Sequence, residues 1–367
     1  MTPVEPASPL PVRVAGLATA TGEHWVRSDA FAASLSSIWP NLDTRIAHLL
    51  EQSGTDGRFF SRPIDELGTP LTLSVQGARY TDIALRMAAA AATHAIAVAG
   101  CDPHTIGAII VASCTGFVLP GLDTRLVPML GLRRDVVRMP FTQLGCAGGA
   151  VALARGADWA RGAPGRRALA IAVELPSLAF RPDDHSTDNL LSALVFSDGA
   201  GAAVLERGDE PATTTAAPGE PAVLHLGRST GVLIDDTAPL LGYELADDGF
   251  RIILSRRLPS ILESRLGGIV TAFLRTAGTA VAALDVVAAH PGGTAVLEAV
   301  QRSLGATPPQ LDASWRTFRT FGNSSSAALY FVLEAAVRAA PPVGSRGLVI
   351  GFGPGLAVEL QELSWAG

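Results

Sequence analysis

The chain has 367 residues, more than one ordinary domain, yet short enough to form two similar halves around one continuous core. Hydrophobic residues make up 48% and charged residues 17%, with 38 glycines and 25 prolines, which excludes disorder and describes a compact Ala- and Gly-rich protein. All 28 basic residues are arginine, so Schiff-base chemistry, lysine-bound pyridoxal phosphate and a P-loop lysine are excluded, and a net charge of −6 without an Arg-rich block argues against nucleic acid.

Residues 1–11 are Pro-rich, with no basic residue before Arg13 and no apolar signal core, so a frayed start is expected. No apolar run reaches membrane length, and the cytoplasm is the default location. Thr81 to Ala99 predicts a helix and Ile106 to Ser113 the buried strand after it. A helix begins near Cys146 and continues through Val151 to Ala160, followed by a buried strand from Arg167 to Glu174. Leu190 to Glu206 reads as a strand, a Ser-Asp-Gly turn and a returning strand. Gly208 to Pro221 offers prolines, threonines and acids but nothing to pack, and is expected to be a surface linker between an N-terminal half, 1–220, and a C-terminal half, 221–367. Beyond it come a strand at Val223 to Leu226, helix within Ser255 to Thr276, a strand at Val286 to Ala289 and a helix after Pro291. A helix from Ser325 to Ala340 and a strand pair around Gly351 to Gly355 close the chain. Strands alternate with helices throughout, the signature of an α/β fold.

Three cysteines, Cys101, Cys114 and Cys146, make no disulfide framework, and no Cys-x-x-Cys or His-Glu-x-x-His pattern points to a metal. Cys146 sits in Gln-Leu-Gly-Cys-Ala-Gly-Gly-Ala (143–150), where small neighbours leave the sulfur approachable and the free N–H groups of a helix start favour a thiolate. His290, in Ala-Ala-His-Pro-Gly-Gly (288–293), ends a β-rich run at a rigid turn, a place from which an imidazole faces a cleft. Asn323, in Phe-Gly-Asn-Ser-Ser-Ser (321–326), precedes a helix, where Asn also serves as an N-cap. Cys, His and Asn in this order occur in papain-like proteases, but those carry the cysteine near the mature N-terminus in a different local context.

Four segments, GCAGG, HPGG, FGNSSS and the closing GFGPG (351–355), together resemble the thiolase-fold condensing enzymes, and among them the chalcone-synthase-like bacterial type III polyketide synthases. The similarity runs from about Val14 to Leu363. It implies a five-layer αβαβα fold of two pseudo-symmetric halves and a homodimer. It also implies that Cys146, paired as thiolate with an imidazolium, accepts an acyl group from a coenzyme A thioester. His290 and Asn323 then hold the malonyl thioester carbonyl while decarboxylation generates the enolate that attacks the acyl-Cys, an oxyanion-hole role typically worth about 3 kcal/mol per donor. No cofactor is implied; acyl- and malonyl-coenzyme A are substrates.

Phe196 matches the first of the family's two tunnel phenylalanines. An ungapped count places Ile252 at the second, with Phe250 on the same strand face two residues earlier. Cys114, Pro176, Ala179, Tyr243 and Ser325 match other cavity positions, and Leu119 stands where many plant members place a methionine reaching into the partner subunit. Ser197 and Pro176 depart from the usual residues. Arg45, His48 and Arg58 are the expected partners of the coenzyme A phosphates. Two other readings are a single-condensation β-ketoacyl carrier-protein synthase of the initiating class and a silent partner subunit; GFGPG and HPGG count against the first, an intact Cys-His-Asn set against the second. Starter, number of extensions and mode of ring closure are not encoded in single side chains.

Overall fold

The computed structural model describes residues 10–208, 222–246 and 249–367. Up to residue 208 the elements are β1 (Val12–Thr21), β2 (His24–Arg27), α1 (Ser28–Ile38), α2 (Asp43–Ser53), β3 (Gly57–Phe60), α3 (Leu73–Ala99), β4 (Ile106–Ala112), α4 (Leu122–Met129), β5 (Val137–Phe141), α5 (Gly148–Gly162), β6 (Arg167–Glu174), α6 (Pro176–Ala179), α7 (Thr187–Val195) and β7 (Gly199–Arg207). From residue 222 they are β8 (Val223–Leu233), β9 (Leu241–Ala246), β10 (Gly249–Leu254), α8 (Leu258–Arg275), β11 (Val286–Ala289), α9 (Thr294–Leu304), α10 (Asp312–Phe321), α11 (Ala328–Arg338), β12 (Arg346–Gly353) and β13 (Ala357–Ala366). Most of the expected linker, residues 209–221, and the first nine residues lie outside the described residues.

Strands in the order β1-β7-β6-β4-β5 form one sheet and β8-β13-β12-β11 a second. A short pairing of Val12 and Arg13 with Leu226 and His225 splices the two into a continuous nine-stranded sheet. β4 and β6 are buried on both faces, which is why they read as unbroken apolar runs rather than alternating ones. Between the sheets lie α5 and α11, where Ala150, Leu153, Ala157, Tyr330, Val332 and Ala336 pack into one buried layer. The outer face of the first sheet is covered by α3 and α4, and that of the second by α8, α9 and α10. Helix, sheet, helix, sheet and helix thus make the five-layer αβαβα arrangement. Among helices of the described residues, α3 alone is long and apolar enough to cross a membrane; its buried alanines, Ala84, Ala88, Ala91, Ala92 and Ala95, face the sheet instead.

The two central helices are alike at their starts: a 3₁₀ turn at Gly145–Ala147 leads into α5, and another at Ser325–Ala327 leads into α11. They touch there, because Gly149 has no side chain: a methyl at that position would collide with the carbonyl oxygen of Ser326. The small residues of GCAGG and FGNSSS therefore bring two distant segments into contact. The GFGPG turn closes over the same point. Gly145 has φ +51 and a Cβ there would strike the Pro354 ring, while one on Gly353 would lie 2.6 Å from the Ala147 Cβ.

One expected element is corrected. Leu190 to Val195 is helix, not strand: Ser186 caps α7 by accepting from the Asn189 amide at 3.2 Å, and Leu190, Ala193 and Leu194 bury one face at helical spacing. The returning strand is β7.

Candidate active site

The parallel strand β11 ends at Ala289, and the His290 amide still bonds the Ile350 carbonyl of β12 at 2.7 Å, so the imidazole emerges at the carboxyl edge of the second sheet. Asn323 follows α10 through Gly322, whose φ of +69 suits only glycine comfortably. Its backbone is clamped from both sides: the Asn323 amide donates to Val195 O and the Ser197 amide donates to Asn323 O, each at 3.0 Å. Phe196 and Asn323 consequently form an isolated bridge. The Asn323 Oδ1 accepts from the Ser325 amide at 2.8 Å, holding Ser325 at φ +50, while its Nδ2 makes only a long 3.4 Å contact with Gly292 O. The Asn side chain is thus oriented by its oxygen, and its amide nitrogen is left for the cleft.

Cys146, His290, Asn323 and Phe196 line a common cleft of about 440 Å³. Its walls are mainly aliphatic, including Leu191, Leu194, Leu241, Leu254, Leu258 and Leu262. The Cys146 Sγ lies 3.3 Å from the Ser325 Oγ, and the Cys114 Sγ lies 3.6 Å from the same hydroxyl. Burial pushes the Cys146 thiol up to about 11 despite the Ser325 hydrogen bond, and pushes the His290 imidazole down to about 4. Burial thus works against the charged form of each group taken alone, so the thiolate–imidazolium pair that the family resemblance implies requires the two charges to support each other. The His290 Nδ1 is buried without a hydrogen-bond partner among the described residues.

A second, smaller cavity of about 40 Å³, room for only a few water molecules, is lined by Phe196, Pro176, Ala179, Tyr243, Phe250 and Ile252, of which Tyr243 and Phe250 remain partly exposed. Tyr243 and Ile252 are directly paired across the β9–β10 hairpin, and the Tyr243 and Phe250 rings meet edge-on with centroids 6.1 Å apart. Ile252 and Phe250 both face this space, as their two-residue spacing requires. Phe196 belongs to both cavities and forms part of the wall between them. Leu119 stands apart, 85% exposed on the loop before α4.

Of the three expected coenzyme A contacts, His48 lines the cleft, where it meets Gln52 at 3.2 Å. Arg45, one turn earlier on α2, is half-buried and donates to the Thr187 hydroxyl of α7. Arg58 is a correction: it is completely buried, its guanidinium donates to Leu194 O and rests 4.4 Å from the Phe31 ring centroid, so no phosphate reaches it. Its position in a basic-looking segment hid that β3 runs inward. Two residues escaped the sequence reading. Arg256 is exposed at the cleft wall. Glu174, fully buried, accepts from the amides of Cys114 and Thr115 at 3.0 Å each, from the Thr115 hydroxyl at 2.7 Å and from the Ser326 hydroxyl at 2.5 Å. Burial raises its carboxyl above the usual range. An acid closing the otherwise apolar run Arg167–Glu174 was the available signal.

The chain matches two family profiles in tandem, "Chalcone and stilbene synthases, N-terminal domain" over residues 66–211 and the corresponding C-terminal domain over 225–363. It is 35% identical over 328 residues to a 1,3,6,8-tetrahydroxynaphthalene synthase of Streptomyces peucetius subsp. caesius, covering 89% of this chain and 85% of that one. It is 30% identical over 365 residues to the alpha-pyrone synthesis polyketide synthase-like Pks18 of Mycobacterium tuberculosis, covering 96% and 91%. The crystal structure of 1,3,6,8-tetrahydroxynaphthalene synthase from Streptomyces coelicolor superposes with a TM-score of 0.89 at 26% identity, over 98% of this chain and 99% of that one. The chain belongs to the chalcone and stilbene synthase family and is a type III polyketide synthase, an acyltransferase-type condensing enzyme.

Proposed function

We propose that Cys146 carries the growing acyl chain, and that His290 and Asn323 bind the thioester carbonyl of malonyl-coenzyme A while it loses carbon dioxide. The observation that supports this most directly is the convergence of all three on one apolar cleft, with the Asn323 Nδ2 left almost unengaged. Acyl transfer to Cys146 requires its proton to leave as sulfur attacks the starter thioester; His290 is the base at hand, the ion pair so formed offsets the burial that disfavours each charge alone, and the departing coenzyme A thiolate takes the proton from His290 as its C–S bond breaks. In the condensation the malonyl C–C bond breaks to release carbon dioxide, electrons move onto the carbonyl oxygen between His290 and Asn323, and the resulting enolate attacks the acyl-Cys carbon, whose C–S bond breaks to return the Cys146 thiolate and leave the extended chain on coenzyme A. A neutral imidazole is suited to that donor role, and preorganised donors in a dry site typically lower such a barrier by about 3 kcal/mol each.

The small size of the second cavity, which Tyr243, Phe250 and Ile252 help to line, supports a short starter and few extensions. Cys114 and Ser325 support the nucleophile from the protein side, through the Ser325 hydroxyl that meets both sulfurs. For the coenzyme A phosphates, His48 and Arg256 are the better placed groups, with Arg45 behind them. A homodimer is supported by the open edge of β5 and by exposed Phe117, Leu119, Met129 and Val137; in it, Leu119 would meet the partner subunit. A division of the chain into halves at 220/221 fits the two like-built central helix starts. Three free cysteines and coenzyme A thioester substrates favour the cytoplasm. Incubation of the purified protein with a starter panel and either malonyl-coenzyme A or malonyl-carrier protein, read by mass spectrometry, tests the reading. Polyketide products from the coenzyme A donor are expected; products from the carrier protein alone would favour the single-condensation enzyme.

A further inference from the structure

Arg58 is a buried arginine with no carboxylate beside it among the described residues. It is 0% exposed, only its Nη1 has a hydrogen-bond acceptor, the Leu194 carbonyl, and its Nε and Nη2 have none. Its cation is balanced instead by the Phe31 ring at 4.4 Å, the Phe60 ring at 5.9 Å and the negative end of the α7 dipole. Such an arrangement is unfavourable enough that burial draws the guanidinium down to about 9. Its place explains what it does. The carbonyl it holds is the penultimate residue of α7, and the next carbonyl, Val195 O, accepts from the Asn323 amide. On its other side the aliphatic stem supports the Gly322 turn: a Cβ on Gly322 would come within 2.8 Å of the Arg58 Cγ and 3.0 Å of Val195 O. Gly322 and Val195 are the residues preceding Asn323 and Phe196, which are bridged to each other.

We infer that Arg58 is a positioning residue, which locks the end of α7 against the Gly322 turn and thereby aims the Asn323 amide and Phe196 into the cleft. The inference rests on the proposed role of Asn323 in decarboxylation. Cys146 and His290 stand on other elements, the α5 start and the end of β11, and Asn323 reaches Cys146 only through the Ser325 hydroxyl, so Arg58 acts mainly on decarboxylation and far less on loading.

The test separates the two half-reactions in the full-length protein. Arg58→Met keeps the stem and removes the charge and donor; Arg58→Lys restores the charge. Decarboxylation of malonyl-coenzyme A to acetyl-coenzyme A is followed alongside acyl loading of Cys146 from acetyl-coenzyme A, with circular dichroism confirming the fold. The expected result for Arg58→Met is a fall of at least tenfold in decarboxylation kcat, with KM and Cys146 loading within twofold of the parent, and partial recovery in Arg58→Lys. Equal loss of both half-reactions, or loss of neither, overturns the inference. Should Arg58→Met not fold, Phe31→Leu, which removes the ring beneath the guanidinium, carries the same prediction in weaker form. Absence of decarboxylation in the parent protein would instead remove the role of Asn323, a distinct outcome.

Discussion

Replacing His290 by Gln should make the protein less sensitive to acid. The imidazole is held at about 4 in the folded chain against 6.5 for the free group, because burial disfavours its charged form. A group whose pKa is depressed by folding contributes stability that is present above the unfolded value and is lost as pH falls through the folded one, here between about 6.5 and 4. Between pH 7.5 and 4.5 the linkage for this shift amounts to roughly 2–3 kcal/mol. Glutamine keeps a donor of similar reach but does not titrate, so this part of the acid loss disappears, while the buried carboxyls Glu174 and Asp198 affect both proteins alike. Urea unfolding followed by tryptophan fluorescence at the two pH values measures the difference. The parent should lose roughly 2–3 kcal/mol more than the variant; parallel losses would refute the claim that burial disfavours the charged form of this imidazole.

Gly149→Ala places a methyl against the Ser326 carbonyl where α5 and α11 cross, and backbone cannot yield cheaply, so stability should fall by about 3 kcal/mol with a matching drop in Tm by calorimetry. Tyr243→Gly should enlarge the smaller cavity and admit longer starters, seen as heavier products in a competition between short and long acyl-coenzyme A substrates; an unchanged product range would show that Tyr243 does not limit the space. Arg256→Ala should raise the KM for coenzyme A substrates several-fold with kcat little changed, the scale expected for one exposed charge contact of up to about 1 kcal/mol, whereas Arg45→Ala should have the smaller effect because its guanidinium is already engaged by Thr187.

The residues proposed to carry the chemistry stand out in the sequence because their backbones demand small neighbours. Cys146 and Asn323 sit at helix starts that must touch, and the touching is written as GCAGG and FGNSSS; GFGPG is the turn that packs over Gly145. β4 and β6 were legible as unbroken apolar runs. What the sequence could not show is direction in depth. Arg58 and Arg45 share one short segment, yet β3 carries the first into the core while α2 leaves the second half-exposed. The segment Leu190–Val195 is apolar enough for either strand or helix, and its Ser186 cap decided the matter. Glu174 was passed over because an acid at a strand end usually points to water, whereas here four donors in the loop after β4 and at the start of α11 hold it inside.

The most direct measurement of the central claim is the mass of the Cys146 peptide after brief incubation of the folded protein with acetyl- or malonyl-coenzyme A. An acyl adduct on Cys146, absent from Cys101 and lost in Cys146→Ala, is the predicted result. A folded protein that turns over malonyl-coenzyme A into product while Cys146 stays free, or that still does so as Cys146→Ala, would contradict it.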